Sequence, residues 1–243
     1  MRSIFNQLLK CLPLGAVLTC VAPAYAQDCK NYYFLHSNAE VEVTLYDGKG
    51  DKSAVQTWVV NEVNADGNAT RSTVTATMVN TKGEEIVKST GTYRCQEGRL
   101  MADIRMVLPY NQDPQNQQTQ PTATGKLDEA YVEYPAVMTE GMQLPDAVFD
   151  MEVTTAGAPG VARIEMTNRK VEGKEQVTSD AGSWDAYKIT YDAEMKMRVA
   201  GIGVPVNMKT TEWFVPGFGV VKSESYNKKG KLRGKTLLTG LKM

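Results

Sequence analysis

Turn residues, recurring about every fifteen positions from 47 to 98 and again toward the C-terminus, constrain this chain more than any other feature. They fall at Asp47-Gly-Lys-Gly-Asp51, Asp66-Gly67, Thr81-Lys-Gly83, Gln96-Glu-Gly98, Asp180-Ala-Gly-Ser183, Pro216-Gly-Phe-Gly219 and Lys228-Lys-Gly230. Asp-Gly is the strongest short hairpin signal, because such turns need positive φ that glycine adopts freely. Between the turns lie β-favouring segments at 39–46, 53–65, 68–79, 86–95 and 99–108. They resume at 147–154, 161–171, 175–178, 183–199, 206–215, 220–226 and 231–241. Ala39-Glu-Val-Glu-Val-Thr-Leu-Tyr46 shows the alternation that puts apolar side chains on one face of a strand. Residues 183–199 are long for one straight strand, which suits a curled sheet. The expected fold is all-β: a strongly curved antiparallel meander forming an open or half barrel. One short helix is expected within 127–139, where Leu127, Ala130, Tyr131 and Tyr134 fall at helical spacing and Pro135 would end it.

The first residues place the chain. Arg2 and Lys10 precede an apolar run over 11–21 and then Ala24-Tyr-Ala26. A charged start, a short apolar core and an A-x-A site make 1–26 a secretory signal peptide. The run is too short to span a bilayer, and no later segment serves as a transmembrane helix. The expected location is outside the cytoplasm: the periplasm, with an outer-membrane-associated or extracellular site as alternatives. Residues 27–243 then form a single all-β domain, with a mobile loop at 109–125 where Asn, Gln, Pro and Thr leave little to bury. Removing Arg2 and Lys10 leaves 25 of the 27 basic residues against 28 acidic ones. Nucleic acid is therefore not expected as a partner. Charge is unevenly spread: 127–152 carries only acids, and from Val220 onward seven Lys and Arg face only Glu224.

Two of the four cysteines leave with the signal peptide. Cys29 and Cys95 remain, an even pair in an oxidising compartment, so a disulfide is expected.

The search for chemistry finds little. His36 is the one histidine and has no nucleophile motif beside it. In the turn at 47–51, Lys49 occupies a would-be calcium-ligand position. Gly217-Phe-Gly219 lacks the third glycine and the following helix of a phosphate loop. No catalytic residue, metal or cofactor is expected, and the chain reads as a non-enzyme. The stretch from Trp213 to Glu224 reads as architecture: Trp213, Gly217, Gly219, Lys222 and Glu224 belong to one hairpin. A loop centred on Gly217 sets Glu212 opposite Lys222. A type II′ turn at Gly217-Phe218 sets Trp213 there instead, giving a cation–π contact. Met195, Met197 and Val199, and separately Ile104, Met106 and Leu108, share apolar strand faces and are candidates to line a groove. Lys196, Arg198, Asp103 and Arg105 then face outward. Methionine adapts to varied shapes, which suits an apolar ligand.

Four pieces of the chain also resemble a known family. They are Cys95 with its following strand, Tyr134-Pro135 leading to Gly141-Met-Gln-Leu-Pro-Asp146, Asp180-Ala-Gly-Ser-Trp-Asp-Ala-Tyr-Lys188 with Trp184 at its centre, and Trp213 to Glu224. The order resembles the exported β-rich proteins of unknown function, DUF3108-like or TapB-like, of Gram-negative bacteria. That resemblance implies an architecture akin to curled half-barrels such as periplasmic lipoprotein carriers, and brings no catalytic residues. The functional expectation is an exported β-barrel-like protein binding an apolar or lipidic ligand in the cell envelope. The alternative is an envelope structural or protein-interaction module with a solid core and a protein partner. Thiol labelling of the purified exported protein, under denaturing and non-reducing conditions, is expected to find no free thiol. Two labelled thiols would remove the disulfide.

Overall fold

Among the described residues, period-two alternation becomes thirteen antiparallel strands. The computed structural model describes residues 29–107, 122–124, 131–155, 158–199 and 202–243. The first meander is β1 (Glu40–Asp47), β2 (Lys52–Asp66), β3 (Ala69–Asn80), β4 (Glu85–Gln96) and β5 (Arg99–Asp103). One helical turn, α1 (Ile104–Val107), follows, and then two short strands, β6 (Thr122–Thr124) and β7 (Tyr131–Tyr134). The second meander is β8 (Ala147–Thr155), β9 (Ala158–Ser179), β10 (Gly182–Val199), β11 (Ile202–Val215), β12 (Gly219–Tyr226) and β13 (Leu232–Lys242). All lie in one sheet, ordered β6-β8-β9-β10-β11-β12-β13-β1-β2-β3-β4-β5-β7. The β1–β13 ladder, from Glu40↔Lys242 to Asp47↔Gly234, joins the two meanders.

The sheet then curls back on itself. β7 pairs with β5, Leu100 opposite Tyr134. The chain beyond β7 crosses to β9, where the Gly141 N–H donates to the Val171 carbonyl (2.8 Å) and Leu144 N–H to Arg169 (2.8 Å). One short stretch thus bonds to both ends of the ring and nearly closes it as a barrel. Among the described residues no helix is long and apolar enough to cross a membrane.

The chain start plugs one end. Cys29–Asn31 and Tyr33–Leu35 are 3₁₀ turns that bury Tyr32, Tyr33 and Phe34 inside the sheet. Phe34 stacks on Tyr93 with ring centroids 3.8 Å apart, and Tyr33 meets Phe218 edge-on at 5.1 Å. The Tyr32 hydroxyl donates to the Gly98 carbonyl at 3.1 Å. A disulfide between Cys29 and Cys95, as expected, ties the plug to β4. Closing a loop with a sequence separation of 66 is worth roughly 4 kcal/mol of unfolded-state entropy.

Three expectations change. Residues 99–108 are not one strand: β5 stops at Asp103 and α1 folds over β4. Gly91 permits this, because a Cβ there would lie 2.5 Å from Met106 Cγ. Asp103, expected outside, is 2% exposed, and its Oδ2 accepts the Thr92 N–H at 3.4 Å. The helix expected within 127–139 is absent from its described part, where Tyr131–Tyr134 is strand β7 because β5 offers a free ladder edge. The loop expected at 109–125 falls largely on 108–121, outside the described residues, as does the signal peptide. Its end, Thr122–Thr124, is strand β6 on β8.

The β11–β12 hairpin combines both anticipated registers. Val215 pairs with Gly219 and Phe214 with Val220, so the loop is centred on Gly217. Val221 is then bulged out, and Trp213 meets Lys222 after all. Gly219 has φ 134°, and a Cβ on it would lie 2.9 Å from Phe34 and 3.0 Å from Tyr33. The plug can seat only against a residue with no side chain. Gly219→Val is therefore expected to cost roughly 2–5 kcal/mol, combining backbone strain with overpacking. Thr90→Val, at an exposed strand position, should stay within about 0.5 kcal/mol. Equal urea midpoints for the two variants would show the glycine to be incidental.

Candidate functional site

An apolar inner face that curls without collapsing leaves a space. The barrel holds a cavity of about 1020 Å³. Phe34, Trp58 and Tyr93 form its floor, at the plug, and Val43, Leu45 and Leu238 stand in its wall. The cavity reaches turns at the opposite end, around Lys49 and Lys231.

Those turns share one construction. In Asp47-Gly-Lys-Gly-Asp51, Asn80-Thr-Lys-Gly-Glu84 and Asn227-Lys-Lys-Gly-Lys231, the first side-chain oxygen accepts the N–H of residues three and five, at 2.8–3.0 Å. The fourth residue is glycine, with φ of 93°, 82° and 73°. Because β12-β13-β1-β2-β3-β4 are successive antiparallel neighbours, these alternate connections all fall at one end. The sequence spells the repeat openly as Asp/Asn-x-Lys-Gly-x. Separated by strands of unequal length, these five-residue repeats have no fixed period.

A cluster of polar groups interrupts the apolar interior. Glu212, 3% exposed on β11, borders the cavity together with Tyr134. It accepts hydrogen bonds from the hydroxyls of Tyr134 (2.8 Å) and Tyr191 (2.7 Å), one on each oxygen. The Arg169 guanidinium, 1% exposed, lies 5.2 Å from the Tyr134 ring centroid. Its Nη1 donates to the carbonyls of Glu133 (3.1 Å) and Pro145 (2.8 Å). Burial pushes the Glu212 carboxyl above its ordinary value, against the hydrogen bond from Tyr191, the charge of Arg169 and the bond from Tyr134. Burial and the Glu212 charge push both tyrosines well up. Glu212 had been placed, in one register, opposite Lys222. It instead points inward opposite Ser223. Its inward neighbours Thr210 and Phe214 were the available signal, a charge on the apolar face of a strand.

The other expected residues divide between the two faces. Met195 and Met106 border the cavity. Ile104 is buried in α1. Met197 and Val199 belong to β10, but their side chains, like Leu108, lie outside the described residues. Lys196 pairs with Glu194 at 3.1 Å. Trp213 is buried under charge: Lys222 Nζ lies 3.9 Å from its ring centroid, and its Nε1–H donates to Glu175 at 2.8 Å. Lys222 in turn pairs with Glu224 at 2.7 Å, and the Trp184 ring rests 5.5 Å from Phe218 near Gly217 and Gly219. These contacts serve the hairpin. Among the described residues no group of three or more His, Cys, Asp or Glu is placed to hold a metal ion.

The raised carboxyl has a consequence for stability. Unfolded, Glu212 titrates near its ordinary 4.5. Folded, it keeps its proton to higher pH, so its contribution to stability falls as pH rises through that window. Glu212→Gln lacks this titration. The difference in urea midpoint between variant and unmodified protein should therefore shift in the variant's favour from about pH 4 to about pH 8. A difference that is flat with pH would show that Glu212 does not titrate abnormally.

No protein of curated function matches the sequence. Two solved structures share the fold. A candidate exported protein of Bacteroides fragilis with a YmcC-like fold superposes with a TM-score of 0.67 at 18% identity, covering 86% of this chain and 97% of its own. A candidate lipoprotein of Parabacteroides distasonis gives 0.71 at 21% identity, covering 89% and 100%. The sequence model described as DUF3108-like matches residues 37–238, spanning both meanders and the closing stretch between them, and the chain belongs to that family.

Proposed function

We propose that this is an exported, non-enzymatic protein that binds an apolar or lipidic ligand inside its barrel. The observation carrying this reading is the cavity, whose about 1020 Å³ stands at the upper end of the roughly 300–1,000 Å³ of ligand sites. Its wall is largely apolar, and Met78, Met106 and Met195 supply side chains that adapt to a flexible chain. Export is supported by the signal-like start and by the disulfide, which persists in oxidising compartments. Both fit an extracytoplasmic location, of which the periplasm is our reading. The non-enzymatic reading is supported by the state of Glu212, whose two oxygens are engaged by buried phenols.

Met195→Trp tests this at a half-buried position on the cavity wall. Overpacking a filled core costs about 1–3 kcal/mol. In a ligand cavity the variant should lose less than about 1 kcal/mol and bind a fluorescent fatty acid at least about tenfold more weakly than the unmodified protein. A large stability loss, with no probe bound by the unmodified protein, would favour a structural module with a solid core.

A further inference from the structure

The cavity has two unlike ends, and the open one is basic. We propose that the ligand carries an anionic headgroup on its acyl chain, seated between the turn at 47–52 and the strand start at 231–235. This rests on the binding reading above and adds the chemical class of the ligand. The two segments come from opposite ends of the sequence yet touch: a Cβ on Gly48 would lie 2.5 Å from the Leu232 carbonyl oxygen. Where they meet, Lys49, Lys52, Lys231, Arg233 and Lys235 all border the cavity.

The pairing pattern sets these cations apart. Lys170, Lys188 and Lys196, on the outer face of the second meander, and Lys222, which itself borders the cavity, each have a carboxylate within 3.1 Å. Among the described residues, Lys49, Lys52, Lys231 and Arg233 form no ion pair, and Lys235 sits over the Tyr46 ring at 4.5 Å. Asp47, the acid that borders the cavity here, spends its Oδ1 on the N–H groups of Lys49 and Asp51. All five border one mouth, where their charges, partly offset by Asp47 beside Lys49 and Glu224 beside Lys235, favour an anion. Low-dielectric walls concentrate the field there. Just below, Val43, Leu45 and Leu238 offer apolar surface. A carboxylate or phosphate at the rim with its chain inside satisfies both environments at once. A neutral amphiphile satisfies only one. Free fatty acids and acidic phospholipids share this chemistry.

The test compares, at low ionic strength, a fluorescent fatty acid, a short-chain phosphatidic acid and the fatty alcohol of matching chain length, each with the purified protein. The anionic probes are expected to bind at least about tenfold more tightly than the alcohol, with a preference that narrows in salt beyond the Debye regime. The probe with the larger preference identifies the source. Lys231→Glu with Arg233→Glu should remove the preference while leaving the alcohol within about twofold. Arg71→Glu with Arg99→Glu, an equal charge change near the plug end, should leave it intact. Should the first double variant not fold, Lys231→Gln with Arg233→Gln is read in its place and should at least halve the preference. Equal binding of alcohol and acids overturns the headgroup site and leaves the cavity reading standing. Loss of preference in both charge-reversed variants alike also overturns it, since net charge then explains the effect. No binding of any probe removes the cavity reading and this inference together.

Discussion

A buried guanidinium holds the ends of the sheet together. Arg169 follows Asn168, which takes φ 56° in β9. From there Nη1 reaches the Glu133 carbonyl on β7 and the Pro145 carbonyl on the stretch leading to β8. Its Nε and Nη2 make no hydrogen bond among the described residues. Burying such a charge costs several kcal/mol unless an opposite charge lies near. The Glu212 carboxyl lies within its electrostatic reach two strands away on β11, and is itself hydrogen-bonded by Tyr134 and Tyr191. Tyr134 then stacks on Phe214 with centroids 4.5 Å apart. Closing strand, charge pair and aromatic stack form one unit.

The barrel this unit closes has a definite polarity. Aromatic rings and a disulfide fill the plug end, and Gly219 makes room for them. The turns at the other end are built from side-chain-to-backbone bonds that need nothing from the interior. For the proposed amphiphile, specificity would fall to the mouth, because a Met-rich wall discriminates poorly among chains.

Much of this was legible in the sequence, for physical reasons particular to strands. Turn chemistry and period-two alternation are local, so Asp66-Gly67 and Ala39–Tyr46 declared a hairpin and a strand without reference to the rest. Cys29 and Cys95 needed only the knowledge of compartment. Errors arose where a distant partner decided the outcome. Tyr131 to Tyr134 has helical spacing, but β5 presents an unpaired edge that makes it a strand. Asp103 alternates correctly, but Gly91 on β4 lets the next residues coil over it. Either Glu212 or Trp213 could face Lys222 from the sequence, and the bulge at Val221 decides for Trp213, turning Glu212 to the interior and the charge of Arg169. No local pattern reports a bulge of that kind. The candidate site was the least legible part, since a cavity is a property of how far a sheet curls, and no single residue encodes it.

The β1–β13 ladder carries a consequence for how such a chain is made. Thr44 and Thr239 share a hydrogen bond across a sequence separation of 195. The first strand to emerge must wait for the last before its second edge is paired. Until then two unpaired edges stand open, and long-range pairings of this kind form slowly. For a chain that crosses a membrane in extended form, that delay is useful: the barrel cannot lock before its final strand has passed. The same arrangement makes the C-terminal dozen residues a checkpoint, since a chain cut short of β13 has no way to hide the edges of β1 and β12 and is left open to aggregation.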